Sequence, residues 1–470
     1  MAVWLRDDLR MSDNPALANA VSSGRPVVVI FVFDDTGKSV RRLGAASRWW
    51  LHHSLEALDA SLRKRGNRLV LRRGDAVEAV RAVLRDTGAA HLFLNRRYSP
   101  GERDQDRRVQ EAARELGVGT DDFAAALLHE PGDVRTADGE RFGVFTPFWR
   151  AFRRGGEPRG PLPPVDSVPA WEGHLDSVPL ADLHLLPSTP DWAAGLRETW
   201  SPGEKGALRR VDEFVHERLA RYEEGRNLPA AEASSRLSPH LKFGEVSPYQ
   251  VWHAVQGARV PSHIKDKFLS ELGWREFNYD LLAVNGDLAR TNIHRRFDRF
   301  PWTEPDPAAL RAWQRGRTGF PLVDAGMRQL WHTGWMHNRL RMVTASFLIK
   351  NLHYDWRIGE AWFWDTLVDG DPANNTAQWQ WVAGSGADAA PFFRVFNPIT
   401  QGQKFDPDGD YIRQWVPELR SLGPKEIHEP WTAPTPLGDD SGDGSTYPAP
   451  ILDLKQTRRE ALDAYESIKA

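Results

Sequence analysis

The sequence predicts a parallel α/β domain followed by an all-helical domain, and three observations predict it. Through residues 1–130, short apolar runs alternate with amphipathic stretches, the pattern of a parallel sheet covered by helices. Residues 155–190 then turn rich in Gly and Pro, with eight Pro between Pro158 and Pro190, too many for a regular element. Beyond Glu204 the apolar spacing becomes helical, as in Leu208, Val211, Phe214, Val215 and Leu219.

The elements follow in order. Strands are expected at 2–5, 26–33, 68–72 and 91–94, with a weaker fifth near 122–127, and helices near 45–64, 76–87 and 102–116. The run Val27-Val28-Val29-Ile30-Phe31-Val32-Phe33 suits a central strand buried on both faces. A five-stranded, Rossmann-like sheet results, although no G-x-G-x-x-G follows the first strand. Gly37-Lys38-Ser39 resembles the end of a phosphate loop, but Val32 stands where that motif needs its first Gly. The second unit has room for a dozen or more helices. A Gly/Asp-rich loop at 437–445 precedes a short final helix.

Composition narrows the chemistry. The 470 residues, 41% hydrophobic and 27% charged, are enough for two large domains with sizeable cores. The absence of cysteine excludes disulfides, thiolate nucleophiles and Cys-ligated metals. No run is long and apolar enough for a membrane span and no leader-like segment opens the chain, so a soluble, cytoplasmic, monomeric protein is expected. The net charge of −3 argues against a generally basic nucleic-acid coat, but 50 Arg against 11 Lys suits local phosphate binding. There is no H-E-x-x-H and no G-x-S-x-G, and the 15 His are not spaced as metal ligands, so no metal is expected. Of 20 Trp, eleven lie between Trp252 and Trp381, as core, stacking surface or electron carriers.

Five segments of the helical half combine polar groups with aromatics. Ser234-Ser235-Arg236-Leu237-Ser238-Pro239, after Tyr222 and Arg226, offers hydroxyls and amides before a proline-started helix, either an anion cradle or a plain N-cap. Glu271, Trp274 and Arg275 share one helical face, as do Asn338, Arg341 and Met342. Asp369-Gly370-Asp371 puts two acids in a turn, which calls for a partner such as Arg341 or a ligand's hydroxyls. Trp379 and Trp381 point about 200° apart on a helix, toward two different surfaces.

Together these segments resemble the photolyase/cryptochrome family over nearly the whole chain, from Val3-Trp4-Leu5-Arg6-Asp7-Asp8-Leu9-Arg10 to Tyr447-Pro448-Ala449-Pro450-Ile451. Trp274-Arg275-Glu276-Phe277, Gly334-Trp335-Met336-His337-Asn338-Arg339, Trp379-Gln380-Trp381 and Phe393-Arg394-Val395-Phe396-Asn397-Pro398 carry most of the likeness, which is greatest to class I cyclobutane pyrimidine dimer (CPD) photolyases. The resemblance implies an antenna-chromophore domain at 1–130, a connector at 131–203 and an FAD- and DNA-binding helical domain at 204–470.

It also implies roles. Tyr222, Ser234, Ser235, Arg236, Leu237 and Ser238 match the segment that binds FAD phosphates; Asp369 and Asp371 match the turn beside the flavin and ribitol, with Arg341 balancing Asp369. Asn375 matches the position facing the flavin N5, where an amide suits photolyases. Glu271 and Asn338 would bond the pyrimidine edges, and Trp274, Trp381 and Met342 would wall the substrate cavity. Arg226 and Arg339, with Gln401, would meet phosphates of UV-damaged DNA. Trp379, Trp356 and Trp302 resemble the family's electron relay. The second pigment is 8-hydroxy-5-deazaflavin or methenyltetrahydrofolate, Glu102 suggesting the folate and Pro100-Gly101-Glu102-Arg103-Asp104 leaning toward the deazaflavin. The competing expectations are a (6-4) photoproduct photolyase, for which Asn338 and Met342 are the wrong residues, and a cryptochrome-type light receptor.

Overall fold

The computed structural model describes residues 1–37, 40–388, 393–433 and 446–469. Lys38, Ser39 and the loop at 437–445 lie outside the described residues. In the N-terminal half, β1 (Ala2–Leu5), β2 (Val28–Phe33), β3 (Leu69–Arg73), β4 (His91–Asn95) and β5 (Gly119–Phe123) form one parallel sheet in the order β3-β2-β1-β4-β5. β1 is buried along its whole length and lies between β2 and β4, with Trp4 opposite Ile30 and Leu94. The pleat divides its side chains between two cores: Val3, Leu5, Val29 and Phe31 pack on one face, Ala2, Trp4, Val28 and Ile30 on the other.

Two expectations need correction here. The fifth strand is Gly119–Phe123, not 122–127. The ladder ends where the Phe123 carbonyl accepts from Arg96, and the apolar run beyond it is spent crossing to the helical half: the Ala125 carbonyl accepts from Arg10 and the Leu128 amide donates to Glu276 at 2.9 Å. An additional helix, Pro15–Ser22, was not anticipated, though its signals are present, with Pro15 at its first turn and the Asn14 side chain accepting from the Leu17 amide.

Beyond residue 204 the described residues form helices, turns and bends only, as expected. Between the halves the chain is not only a connector, since it contains the helix Phe145–Arg154. Phe145 stacks on Trp274 at 3.9 Å and Phe148 meets Phe277 at 5.2 Å, so this helix is packed onto the long helix Ser262–Asn285.

The halves meet through close approaches as well as ion pairs. A Cβ on Gly44 would stand 2.1 Å from the Trp364 carbonyl oxygen, so only glycine lets the start of helix Ala45–Arg63 seat there. Nearby, Arg41 grips the buried Glu360 with two nitrogens, at 2.7 and 3.0 Å.

Candidate active site

Four helices carry the groups that the sequence singled out: Ser262–Asn285, Asn338–Ser346, Trp356–Thr366 and Asn374–Ala383. The helix Asn338–Ser346 starts sharply because the His337 side chain caps it, accepting from the Arg339 amide. One turn on, Arg341 reaches the acidic turn and binds Asp369 bidentately, at 3.1 and 2.8 Å, the first of the two partners the sequence left open. Ser238 donates to the same carboxylate at 2.6 Å. The Ser-rich segment, the Arg341 helix and the acidic turn thereby converge on one carboxylate whose side chain is 3% exposed.

Asp371 is satisfied by different donors. Its Oδ2 accepts from the Tyr279 hydroxyl at 2.6 Å, and its Oδ1 accepts from the amides of Ala373 and Asn374 and from the Asn374 side chain. Burial, with Asp371 beside it, pushes the Tyr279 hydroxyl well above its ordinary pKa, so it stays a donor. Next in line, Asn375 donates through Nδ2 to the carboxylate and carbonyl of Glu360, at 2.9 and 3.2 Å, which orients the amide and leaves its oxygen unbonded among the described residues. Arg41, Glu360, Tyr279, Asn278 and Asn374 were not identified from sequence. Glu360 was legible as a lone acid among Trp356, Trp362, Phe363 and Trp364; its partner lies 319 residues away, beyond any local pattern.

At Arg236 the Ser-rich segment adopts the left-handed region, with φ of 53°, so consecutive amides turn about that residue. Its guanidinium lies over the Trp335 ring at 5.2 Å and its buried Nε has no partner, while Ser234 and Ser235 are half-buried and Leu237 is core. The helix beginning at Ser238 is only five residues long, so the segment works as a hydroxyl-rich turn more than as a helix end. Tyr222 is buried with Arg226 over its ring at 5.4 Å. Hydroxyls and an unsatisfied guanidinium as donors to phosphate, with two anchored carboxylates as acceptors for hydroxyls, are what a phosphate- and hydroxyl-bearing dinucleotide needs; these residues fit FAD.

Two of the substrate-side residues have unexpected partners. Glu271 is paired with Arg226 at 2.6 Å, so these two are partners and not independent contacts. Trp274 has one face covered by Phe145 and remains half-buried. Asn338 is exposed, while Met342 is half-buried with its sulfur 4.0 Å from the Arg339 guanidinium. Arg339 also donates to Asn227 at 2.7 Å and lies over Phe405. Gln401, on helix Pro398–Phe405, keeps a buried, unpartnered Oε1. Arg275 turns away from Glu271 to the Ala126 carbonyl.

The two tryptophans of helix Asn374–Ala383 separate as expected: Trp379 is core, and half-buried Trp381 donates to the Asp388 carbonyl at 3.0 Å. Trp379 presses on Gly359, where a Cβ would stand 2.1 Å from its ring, and meets Phe363 and Trp313 at 4.9 and 6.4 Å. Trp356 is fully buried and donates to Asn292; Trp302 is half-buried against Phe300 at 4.2 Å. All three expected relay rings belong to one core region.

A separate cavity of about 190 Å³ opens at the carboxyl ends of β1, β2 and β4. Trp4, Asp7, Phe33, Tyr98 and Glu102 line its sheet side, and Lys242, Tyr279 and Asp371 its helical side. This is where an open α/β sheet places a ligand. Asp7 is pushed up to about 7 by burial and by the neighbouring charge of Glu102, and burial brings Lys242 down to about 8. Glu102 also closes a capping box with Ser99.

Comparison with known proteins agrees with both halves. Residues 1–168 match the family described as DNA photolyase, and residues 268–467 the family described as the FAD binding domain of DNA photolyase. The deoxyribodipyrimidine photo-lyase of Agrobacterium fabrum is 50% identical over 99% of this chain and 98% of its own. Cryptochrome-1 of Arabidopsis thaliana is 37% identical over 98% of this chain and 69% of its own. The crystal structure of a bacterial class III photolyase from Agrobacterium tumefaciens superposes with a TM-score of 0.95 at 50% identity, covering 100% of this chain and 97% of that one. That likeness does not support the class I assignment expected from the motifs. Fold, site geometry and full-length similarity lead to one statement: the chain belongs to the photolyase/cryptochrome family.

Proposed function

We propose that this protein uses light to split cyclobutane pyrimidine dimers in DNA, with FAD held by residues 204–470 and a second pigment by residues 1–130. The observation that carries the reading is the Ser238–Asp369–Arg341 junction, which ties a hydroxyl-rich turn to an acidic one between helices that also present Glu271 and Asn338. When bound, reduced FAD would supply an electron to the dimer under blue or near-ultraviolet light and receive it back once the ring has opened. Everything else asked of the protein is positioning and electrostatics.

Ser234, Ser235, Arg236 and Ser238 would meet the FAD phosphates, with Tyr222 and Leu237 as buried support. Asp369 and Asp371 would take hydroxyls. Because the Asn375 Nδ2 is spent on Glu360, its oxygen would be left to the flavin as an acceptor, which would suit a protonated N5 and cannot itself supply a proton. Glu271 and Asn338 would bond the pyrimidine edges, with Trp274, Trp381 and Met342 around the bases. A dimer pairs badly, so extruding it costs only about a few kcal/mol and itself discriminates against intact bases. Arg226, Arg339 and Gln401 would hold the backbone, which makes binding weaken with salt. Trp379, Trp356 and Trp302 would carry electrons inward to return resting flavin to its reduced form.

The cavity at the sheet edge is the place for the second pigment, of the deazaflavin or folate type. Its lining includes Asp7 and Lys242, both shifted toward neutrality by burial.

The test is the loss of thymine dimers from a short DNA by the chemically reduced protein in blue light and in darkness. Loss in light alone is expected. No loss in either, with FAD bound, would turn the assignment to the (6-4) photoproduct or to a light receptor.

A further inference from the structure

The mouth of the site holds more positive charge than it neutralises. Burial lowers the Arg339 pKa, and the charges of Arg394 and then Arg226 lower it further. Buried Nε of Arg339 has no partner, and Asn227 is its only oxygen ligand among the described residues. The carboxylate in contact is Glu271, at 2.6 Å from Nη1 of Arg226, with the charge of Glu223 acting on the same guanidinium from further off. This is an ion pair of poor directionality, because the same Nη1 finds no well-aligned acceptor. Both side chains keep some exposure, 19% and 33%, so the pair can open without unfolding anything. Tyr222 and the backbone tie to His337 keep Arg226 in place when it does.

From this arrangement we infer that Glu271 is an intramolecular stand-in for a DNA phosphate, and that it sets specificity by holding Arg226 until a flipped base claims the carboxylate. The inference rests on the photolyase reading and concerns the same site. A backbone phosphate and Glu271 compete for one guanidinium. On undamaged duplex, nothing compensates Glu271 for losing Arg226, so that exchange is close to neutral and this phosphate contact adds little. On damaged duplex, the extruded pyrimidines offer N–H donors to the freed carboxylate, and Arg226 passes to the phosphate with both charges satisfied. Phosphate binding and base recognition become one coupled event, so a sequence-blind contact contributes to discrimination.

The test is a double-mutant cycle on FAD-loaded protein in darkness, measuring equilibrium binding of an undamaged duplex and of the same duplex with one thymine dimer, over a range of salt. Glu271→Gln keeps the size and removes the charge. Expected are a gain of about threefold to fivefold for undamaged duplex, the order an exposed ion pair is worth, and a salt slope steeper by about 0.9 as one more phosphate is neutralised. Dimer-containing duplex should bind more weakly than to the native protein. With Arg226→Gln in place, Glu271→Gln should change neither the undamaged affinity nor the slope. Unchanged undamaged binding by Glu271→Gln, or a gain that persists without Arg226, would overturn the inference. Equal binding of the two duplexes by the native protein would overturn the photolyase reading instead, and the undamaged arm of the cycle would still decide whether the carboxylate restrains Arg226.

Discussion

The acidic turn of the helical half and the cavity at the sheet edge handle charge in opposite ways, although Asp371 and Tyr279 belong to both. Asp369 and Asp371 receive donors on all four carboxylate oxygens from the protein itself. Asp7 accepts no hydrogen bond from the described residues, and the Lys242 ammonium, beside the Phe243 and Trp364 rings, has the Ser47 hydroxyl as its one hydrogen-bond partner among them. The first arrangement is finished before a ligand arrives, which suits a cofactor that must sit in one orientation for electron transfer. The second leaves its polarity to be answered from outside, which suits a replaceable pigment whose task is only to absorb and pass on energy.

The sharpest way to break this contrast is Asp369→Ala. It leaves Arg341 and Ser238 without their shared acceptor, at a cost of about 3 kcal/mol, and the purified protein should melt lower and carry little FAD. Full FAD content would mean that the junction is not what holds the cofactor. A milder test is Tyr279→Phe, which strips one donor from Asp371. A loss of about 1–3 kcal/mol in chemical unfolding, with FAD retained, would show that the turn is over-determined.

An effect confined to one pH range is expected at Asp7→Asn. The Asp7 pKa rises from the ordinary 3.8 to about 7 in the folded chain, so folding takes up a proton between those values. In pigment-free native protein this group's contribution is most favourable below about pH 4, declines as pH rises, and levels off above about 7. The variant should therefore gain thermal stability over the native chain at about pH 8 and show no gain at about pH 4. An equal difference at both would place the Asp7 carboxyl at its usual range.

Much of this was legible beforehand, for local reasons. The β1 and β2 runs, the helix at 76–87 and the demand of Asp369 for Arg341 all follow from periodicity, capping or the cost of a buried charge. The misreadings share another cause. The run 123–128 has strand composition, yet its amides and carbonyls are claimed by Arg10 and Glu276 from elsewhere in the chain. Likewise, nothing local announces that Phe145, more than a hundred residues earlier, covers one face of Trp274. Pairings across such separations are decided by the assembled fold and leave no periodic trace.

The bridge from Arg41 through Glu360 to Asn375 has a consequence for modularity. A residue of the sheet half compensates a carboxylate that aims an amide in the helical half. The halves are therefore not interchangeable parts: a sheet domain transplanted from a relative would need an arginine at this spot, or it would leave the buried Glu360 without its cation. On the proposed reading, a second pigment would then be exchanged more easily by remodelling the cavity than by swapping the domain.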